Sequence, residues 1–180
     1  MGNKVLFLDR DGTINVDKGY INDLAVFEFI PGTKDALHLA LENGFIFSMI
    51  TNQAGIGKGL TPPDMPERIR KHIEKECEMK FSDARVCPHK VEDACECRKP
   101  GTLNLQNSIE FLNADIKQSL FIGDHTKDME AAHRMGMRSI LVLTGHGRSS
   151  LEELKTMPEI KLSYVAENLL DAIKWILGSK

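Results

Sequence analysis

Short apolar runs alternate along this chain with segments of helical periodicity, and polar residues stand where the runs end. The runs are Val5–Leu8, 45–50, 119–122 and 139–143, and the first three lead into Asp9, Thr51 and Asp124. Apolar runs of about four to eight residues bounded by polar turns are typical of buried strands. Strands that alternate with helices predict right-handed crossovers and a parallel sheet covered on both faces. Ligands of such sheets gather at the carboxyl ends of the strands, so we expect a site around these three polar residues.

The segments between the runs predict the helices that cover this sheet. Apolar residues at helical spacing indicate helices over about 31–43, 62–80, 102–112, 127–135 and 166–177. We expect Leu41 and Leu103 on buried helix faces, a short strand at 85–86 and a flexible loop at the glycines of 55–59. The prediction is one α/β domain over residues 1–180, a Rossmann-like three-layer sandwich with a central parallel sheet. The short spans between the runs leave no room for a large cap domain.

Composition excludes several classes of protein. The chain has 180 residues, of which 42% are hydrophobic and 27% charged, as is ordinary for a soluble globular protein. The formal charge is −3, and no basic run provides the phosphate-neutralising surface that nucleic-acid binding requires. No apolar run approaches the roughly 20 residues that span a bilayer, and the first residues carry no signal-peptide pattern. We therefore expect a cytoplasmic monomer that binds a small molecule, without nucleic-acid or membrane partners.

The sequence Asp9-Arg10-Asp11-Gly12-Thr13 places two carboxylates two positions apart at the end of the first predicted strand. One carboxylate of such a pair can act as a nucleophile while the other handles the proton of the leaving group. Together they also form a hard oxygen site suited to Mg²⁺. Taken alone, the Asp-Gly dipeptide fits a simple turn equally well.

A further carboxylate, Asp124, follows the third apolar run, and Asp128 stands four positions on. Asp124 can complete a Mg²⁺ site with Asp9, because both stand at strand ends. The alternative is that Asp124 or Thr126 only caps the helix that follows.

Two more pairs of residues are suited to binding phosphate. Thr51 and Asn52 offer a hydroxyl and an amide at the end of the second predicted strand. Arg98 and Lys99 are adjacent cations, which are more often a solvated surface pair than a phosphate clamp. Each of these signals is weak alone, and their order along the chain is what makes the combination specific.

The segment 87–97 predicts a metal site of a different kind. It contains Cys87, His89, Cys95 and Cys97. Three thiolates and an imidazole form a closed tetrahedral set, which is typical of structural Zn²⁺. Glu92 and Asp93 lie between them but are hard ligands, disfavoured beside thiolates. Cys77 lies on the apolar face of its helix, where a core thiol is expected. Because Arg98 and Lys99 follow Cys97 directly, zinc would fix the segment that presents both cations.

Taken in order, these motifs resemble those of the haloacid dehalogenase (HAD) superfamily. The matching residues are Leu8-Asp9-Arg10-Asp11-Gly12-Thr13, Thr51-Asn52, Lys99 and Gly123-Asp124-x3-Asp128. A zinc-containing branch of sugar-phosphate and histidinol-phosphate phosphatases is similar at further segments. These are Gly19-Tyr20, Thr51-Asn52-Gln53, Cys87-Pro88-His89 and Cys95-x-Cys97-Arg98-Lys99-Pro100. The resemblance extends from about Lys4 to Gly145 and implies a HAD-like fold.

The resemblance implies a role for each matching residue. Asp9 is expected to be the nucleophile that forms an aspartyl-phosphate, and Asp11 the general acid and base. Mg²⁺ is expected to bind Asp9, the Asp11 backbone carbonyl and Asp124, while Thr51 and Lys99 bind the transferring phosphoryl oxygens. The expected substrate-binding residues are Asp17, Tyr20, Asn52, Gln53, Arg98 and His125. Arg98 suits a second phosphate, since a guanidinium binds phosphate bidentately.

The resemblance also implies a reaction, the Mg²⁺-dependent hydrolysis of a phosphomonoester. The expected substrate is D-glycero-D-manno-heptose 1,7-bisphosphate, cleaved at C7 in the synthesis of nucleotide-activated heptose for lipopolysaccharide. His125 stands where family members often carry Lys, a departure that bears on recognition of a bisphosphate. Two alternatives stay open: hydrolysis of histidinol phosphate, and a zinc-stabilised binding module without catalysis.

Overall fold

Six parallel strands form one sheet in the computed structural model, which describes residues 2–178. In chain order the strands are β1 Val5–Leu8, β2 Ile46–Asn52, β3 Asp83–Cys87, β4 Leu120–Gly123, β5 Arg138–Val142 and β6 Tyr164–Ala166. Their order across the sheet is β3-β2-β1-β4-β5-β6, and every pairing is parallel. Parallel neighbouring strands require a crossover connection between them, and helices form these crossovers here. The predicted α/β fold class is therefore confirmed.

Six α-helices connect the strands of the described chain, and a seventh follows β6. They are α1 Thr33–Glu42, α2 Ala54–Gly57, α3 Met65–Glu76, α4 Leu103–Phe111, α5 Thr126–Arg134, α6 Gly147–Leu154 and α7 Leu169–Gly178. Two 3-10 turns, Leu24–Val26 and Val91–Asp93, lie in the loops after β1 and β3.

The side chains of the central strand β1 pack alternately against both faces of the sheet. Leu6 and Leu8 lie in one apolar cluster with buried residues of α1, α3 and α7. Val5 and Phe7 lie in another with residues of α4 and α5. All four side chains are fully buried. Burial on both faces explains why β1 is apolar throughout, and it produces the predicted three layers.

Several local features differ from the sequence-based expectations. Thr51 and Asn52 belong to β2, because both pair with residues of β3. The glycine-rich segment expected to be a loop contains α2, and the Gly55 carbonyl accepts from the Leu60 and Thr61 amides, which closes the turn. The elements α6 and β6 were not predicted, because neither has a long apolar repeat.

Two leucines expected on buried helix faces are exposed. Leu41 of α1 is 44% exposed and Leu103 of α4 is 39% exposed. The buried apolar face of α1 is formed instead by Ala36, Leu37 and Ala40. This face is narrower than the spacing of apolar residues in the sequence predicts.

The strand order reverses at β1, which has β2 on one side and β4 on the other. Open α/β sheets bind ligands beyond the carboxyl ends of the strands at such a point. Within residues 2–178, the connection from β1 to β2 contains one 3-10 turn and α1, and the connection from β2 to β3 contains α2 and α3, so neither is a large cap domain. No helix in this range has the length and apolar character needed to cross a membrane.

Candidate active site

Polar residues from the carboxyl ends of β1, β2 and β4 surround one open cavity of about 350 Å³. Its lining includes every residue for which the sequence predicts a catalytic or substrate-binding role. These residues are Asp9, Asp11, Asp17, Tyr20, Thr51, Asn52, Gln53, Arg98, Lys99 and His125, and Asp124 lines the same cavity. Segments far apart in the sequence therefore contribute to a single site.

Three carboxylates and one ammonium group form the floor of the cavity. The ligand atoms of Asp9, Asp124 and Asp128, here called the carboxylate cluster, all lie within 4.8 Å of one another. Lys99 Nζ lies 2.8 Å from Asp9 Oδ1 and 2.6 Å from Asp128 Oδ1, and it donates to the Ile50 carbonyl oxygen at 2.7 Å. With a side chain 3% exposed, Lys99 is a buried partner of these acids and not a solvated surface cation.

The carboxylate cluster carries more negative charge than Lys99 balances. Burial raises the pKa of Asp9 to about 7. Burial, together with the nearby carboxylates of Asp9 and Asp128, raises the pKa of Asp124 to about 8. Burial alone lowers the pKa of Lys99, but the carboxylates of Asp128 and Asp9 outweigh burial and raise it. When all three carboxylates are ionised, the one ammonium leaves an excess of two negative charges, and hard oxygen donors with that excess fit Mg²⁺.

Backbone atoms enclose the carboxylate of Asp124, which is 1% exposed. A Cβ atom at Gly12 or Gly145 would lie under 3.0 Å from Asp124 Oδ2. Both glycines also have positive φ, +80° and +53°, in the region that favours glycine. The His146 backbone N–H donates to Asp124 Oδ2 at 2.8 Å. These contacts fix the carboxylate next to the end of β1.

Asp11 is held by three side chains. Arg10 Nη2 donates to its two carboxylate oxygens at 2.9 and 2.7 Å, and Arg10 Nε donates to Oδ1 at 3.2 Å. Asn15 Nδ2 donates to Oδ1 at 2.9 Å, and Gln53 Nε2 donates to Oδ2 at 2.8 Å. The Arg10 carbonyl accepts from the Ile14 amide at 2.8 Å, so the segment is also a turn. The same segment therefore forms a turn and presents the two carboxylates to the cavity.

Thr51 and Asn52 connect β2 to the rest of the site. Thr51 Oγ1 accepts from Gln53 Nε2 at 2.8 Å. The Asn52 side chain accepts from the Lys99 amide at 3.0 Å and donates to the Lys99 carbonyl at 3.1 Å. Asn52, a predicted substrate ligand, therefore also fixes the backbone that presents Lys99.

The rim of the cavity carries aromatic and polar groups. The Tyr20 hydroxyl accepts from Lys58 Nζ at 2.8 Å, and Tyr20 is 46% exposed. The rings of His125 and His146 lie 5.5 Å apart, and His146 Nε2 lies 3.3 Å from Asp17 Oδ2. Burial lowers the pKa of His125, which favours its neutral form near pH 7.

The four predicted zinc ligands converge in the loop after β3 and are here called the Cys/His cluster. The Sγ atom of Cys87 lies 3.1 Å from that of Cys97 and 3.5 Å from that of Cys95. These distances are too long for a disulfide, which needs about 2.05 Å. His89 Nδ1 lies 3.2 Å from Cys97 Sγ. Such a set suits tetrahedral Zn²⁺. Arg98 Nη1 donates to the His89 carbonyl at 3.3 Å, which ties Arg98 to the same loop.

Cys77 and Asp93 are engaged outside the Cys/His cluster. Cys77 is fully buried in the apolar cluster beside α1 and α3, as predicted for a core thiol. Asp93 Oδ2 accepts from the Lys90 amide at 2.8 Å, which caps the 3-10 turn.

Three residues of the site have no role in the sequence-based assignment. Arg10 lies between two assigned aspartates, but nothing in the sequence shows that it is buried. Asp128 matches the expected spacing from Asp124, and its place in the first turn of α5 directs it at Lys99. His146 lies in the segment between β5 and α6 and lines the cavity.

Lys99, Asp124 and Asp128 of this site lie in a segment that is similar to the HAD-like hydrolases. A family model of that description, HAD-hydrolase-like, matches residues 96–172. The resemblance inferred from the sequence is confirmed at this level.

Similarity to individual proteins assigns the chain to a more specific family. The D-glycero-D-manno-heptose-1,7-bisphosphate 7-phosphatase of Chlorobaculum tepidum is 36% identical, over 97% of this chain and 95% of its own. The corresponding D-glycero-beta-D-manno enzyme of Haemophilus ducreyi is 30% identical, over 98% and 100%. The crystal structure of D,D-heptose 1,7-bisphosphate phosphatase from B. bronchiseptica, complexed with magnesium and phosphate, gives a TM-score of 0.90 at 26% identity, covering 98% of this chain and 99% of that one. The chain belongs to the family of heptose-1,7-bisphosphate 7-phosphatases.

Proposed function

We propose that this chain removes the C7 phosphate of D-glycero-D-manno-heptose 1,7-bisphosphate in a Mg²⁺-dependent reaction, through an aspartyl-phosphate on Asp9. The observation that carries the proposal is the 2.8 Å contact between Asp9 Oδ1 and Lys99 Nζ on the cavity floor. An ammonium there neutralises charge on the phosphoryl oxygens during attack by Asp9. The names of the relatives at 36% and 30% identity support the substrate. The product is a precursor of nucleotide-activated heptose for lipopolysaccharide.

Transfer proceeds in two steps. First, a carboxylate oxygen of Asp9 attacks phosphorus, the bond from phosphorus to the C7 oxygen breaks, and that oxygen takes a proton from the Asp11 carboxyl. Second, the Asp11 carboxylate takes a proton from water as the water oxygen attacks phosphorus. The bond to Asp9 then breaks, which releases inorganic phosphate and restores both aspartates. Mg²⁺, when bound by Asp9, the Asp11 carbonyl and Asp124, supplies further neutralisation of the phosphoryl charge.

The remaining predicted residues surround the sugar and its second phosphate. Thr51 lines the same cavity as Asp9 and Lys99, and its hydroxyl suits a phosphoryl oxygen. Arg98 is on the cavity wall and suits the C1 phosphate, because a guanidinium binds phosphate bidentately. Asp17, Tyr20 and His125 line the outer part of the cavity, and its volume of about 350 Å³ is in the range of small-molecule sites.

We also propose structural Zn²⁺ at the Cys/His cluster. Soft thiolate donors suit Zn²⁺, and a set of four leaves no coordination position for substrate. Zinc would act on catalysis indirectly, because the loop it closes continues into Arg98 and Lys99.

Three further expectations belong to the proposal. Residues 1–180 form one domain that includes the zinc loop, and the protein acts as a monomer. We place it in the cytoplasm, because its four cysteines form no disulfide with one another in the described residues and unpaired cysteines persist in a reducing compartment.

The test is phosphate release from D-glycero-D-manno-heptose 1,7-bisphosphate, histidinol phosphate and p-nitrophenyl phosphate, with Mg²⁺ or with EDTA. We expect the heptose bisphosphate to have the highest kcat/KM and EDTA to abolish turnover. Asp9→Asn should lower kcat on the order of 10⁴-fold or more, as removal of a nucleophile does. Asp64→Asn, at an exposed position with no side-chain cap bond, is the matched control.

Each contrary outcome has a distinct meaning. Preference for histidinol phosphate would replace the proposed substrate. Undiminished turnover by Asp9→Asn would exclude the covalent route. No turnover of any phosphomonoester would favour a zinc-stabilised binding module.

A further inference from the structure

Arg10 is buried beneath the active site at 1% exposure. Its Nη2 lies 2.7 Å from Asp11 Oδ2 and 3.0 Å from Gln53 Oε1. Its Nη1 is also buried and has no hydrogen-bond partner among the residues that the structure describes. A buried guanidinium with an unsatisfied donor is less favourable than an apolar side chain of similar volume. Stability alone therefore does not account for an arginine at this position.

Gln53 has its carboxamide fixed in one orientation. The oxygen Oε1 accepts from Arg10 Nη2 at 3.0 Å, while Nε2 donates to Asp11 Oδ2 and to Thr51 Oγ1, both at 2.8 Å. Turning the amide over would set its oxygen against the Asp11 carboxylate and its NH₂ group against the guanidinium. At 8% exposure, Gln53 has little surface left for a substrate.

Together these contacts fix the Asp11 carboxyl group in one orientation toward the cavity. Both of its oxygens accept hydrogen bonds from beneath, and 18% of its side chain stays exposed. A general acid must lie within hydrogen-bond reach of the atom that it protonates, and an error of about 1 Å in placement is costly.

We propose that Arg10 and Gln53 are positioning residues that hold the Asp11 carboxyl for proton transfer to the departing oxygen. Gln53 then acts through Asp11 and not by contact with the substrate. This role depends on the proposed phosphatase function, in which Asp11 moves the proton.

The proposal predicts an effect that depends on the leaving group. A sugar oxygen is a strong base and cannot depart without a proton, whereas p-nitrophenolate is a weak base and departs without one. The value of kcat/KM reports steps up to formation of the aspartyl-phosphate, where this proton is needed. Misplacing Asp11 should therefore slow the sugar phosphate selectively.

The experiment measures kcat/KM with D-glycero-D-manno-heptose 1,7-bisphosphate and with p-nitrophenyl phosphate. For Gln53→Leu we expect a loss of about 10- to 100-fold on the heptose bisphosphate, a part of the 10²–10⁴ that general acid catalysis contributes. On p-nitrophenyl phosphate the change should stay within about threefold. Arg10→Lys, which keeps the charge but loses the planar fork, should show the same selective loss and serves if Gln53→Leu does not fold.

Two controls separate positioning from other roles. Gln106→Leu makes the same substitution at an exposed position of α4 and should leave both substrates unaffected. In an Asp11→Asn background, Gln53→Leu should cause no further loss, because its effect passes through Asp11.

Equal losses on both substrates, or additive losses in the Asp11→Asn background, would overturn the positioning role. An increase in KM for the heptose bisphosphate with kcat unchanged would make Gln53 a substrate ligand instead. If the wild-type protein prefers another alkyl phosphate, the proposed substrate fails. The same comparison with that phosphate still decides the roles of Arg10 and Gln53.

Discussion

The carboxylate cluster and the Cys/His cluster each gather side chains suited to a metal ion, but the chain builds them in opposite ways. Asp9 and Asp124 come from strand ends far apart in the sequence, and the central sheet brings them together. The Cys/His cluster comes from the single segment 87–97, which begins at the last residue of β3. The first is buried, negatively charged and open to a cavity, while His89 of the second is exposed and no ligand position is left free.

The difference matches the two proposed roles, catalysis for the carboxylate cluster and structural support for the Cys/His cluster. Burial, together with repulsion from neighbouring carboxylates, raises the pKa values of Asp9 and Asp124, and a bound Mg²⁺ would counter both effects. The Cys/His cluster suits one ion with a complete coordination set. Lys99 links the two, since its backbone follows the loop and its ammonium lies among the carboxylates.

Among the changes that test this comparison, removal of that link should have the largest effect. Lys99→Met should lower kcat/KM about 10³-fold, as loss of an oxyanion-stabilising group does. In EDTA at pH 8 it should also lower the free energy of unfolding by about 3–5 kcal/mol, because it leaves buried carboxylates without a counter-charge. At pH 5 the loss should be smaller, since Asp9, with a pKa raised to about 7, is then protonated. Chemical denaturation at both pH values measures this, with exposed Lys80→Met as the control. A loss of equal size at pH 5 and pH 8 would contradict the electrostatic explanation.

Disrupting the Cys/His cluster should have an intermediate effect. Cys95→Ser should lose zinc, measured by elemental analysis. Its activity should fall about 10- to 100-fold, as happens when residues that hold a functional group in place are changed. Cys77→Ser is the matched control, because Cys77 is a buried thiol outside the cluster. It should keep its zinc and retain kcat. Full activity in zinc-free Cys95→Ser would show that the loop does not position Lys99.

Mg²⁺ binding should depend on pH in a defined direction. The pKa values of Asp9 and Asp124 are raised from 3.8 to about 7 and about 8, so protons stabilise the metal-free fold at low pH. This stabilisation is complete below about pH 4 and is lost as the pH rises to about 8. Because Mg²⁺ competes with these protons, its stabilising effect should grow from pH 5 to pH 8, by about 2 kcal/mol at saturating Mg²⁺. Thermal melts with and without Mg²⁺ test this, and Asp124→Asn should remove the trend. An equal Mg²⁺ effect at the two pH values would count against the carboxylate cluster as the binding site.

The smallest effect is expected from the acid within the zinc loop. Glu92 is exposed, and carboxylates are poor ligands beside thiolates. Glu92→Gln should therefore leave the zinc content unchanged and kcat/KM within about twofold, as is usual for surface substitutions. Loss of zinc in this variant would mean that the four predicted ligands are not the complete set.

Features of this protein are predictable from the sequence where the signal is local, or where it follows from the arrangement of parallel strands in the sheet. The apolar run of β1 and the spacing of the Cys/His cluster are local, and the convergence of Asp9, Thr51 and Asp124 follows from parallel strands ending at one edge. The burial of Arg10 and the engagement of Asn52 with the Lys99 backbone depend on tertiary packing, so no pattern in the sequence indicates them. The strand β6 escapes prediction because three residues are too few for a periodic signal.

Gly12 and Gly145 restrict how this site can change through mutation. Any substitution at either position adds at least a methyl group, which would meet the Asp124 carboxylate. Neither glycine contributes a side chain to the reaction, so an inventory of reactive groups omits both. A library of all single substitutions should nevertheless find these two positions as intolerant as Asp124 itself. Preservation of the metal site under mutation thus depends on two residues that have no side chain.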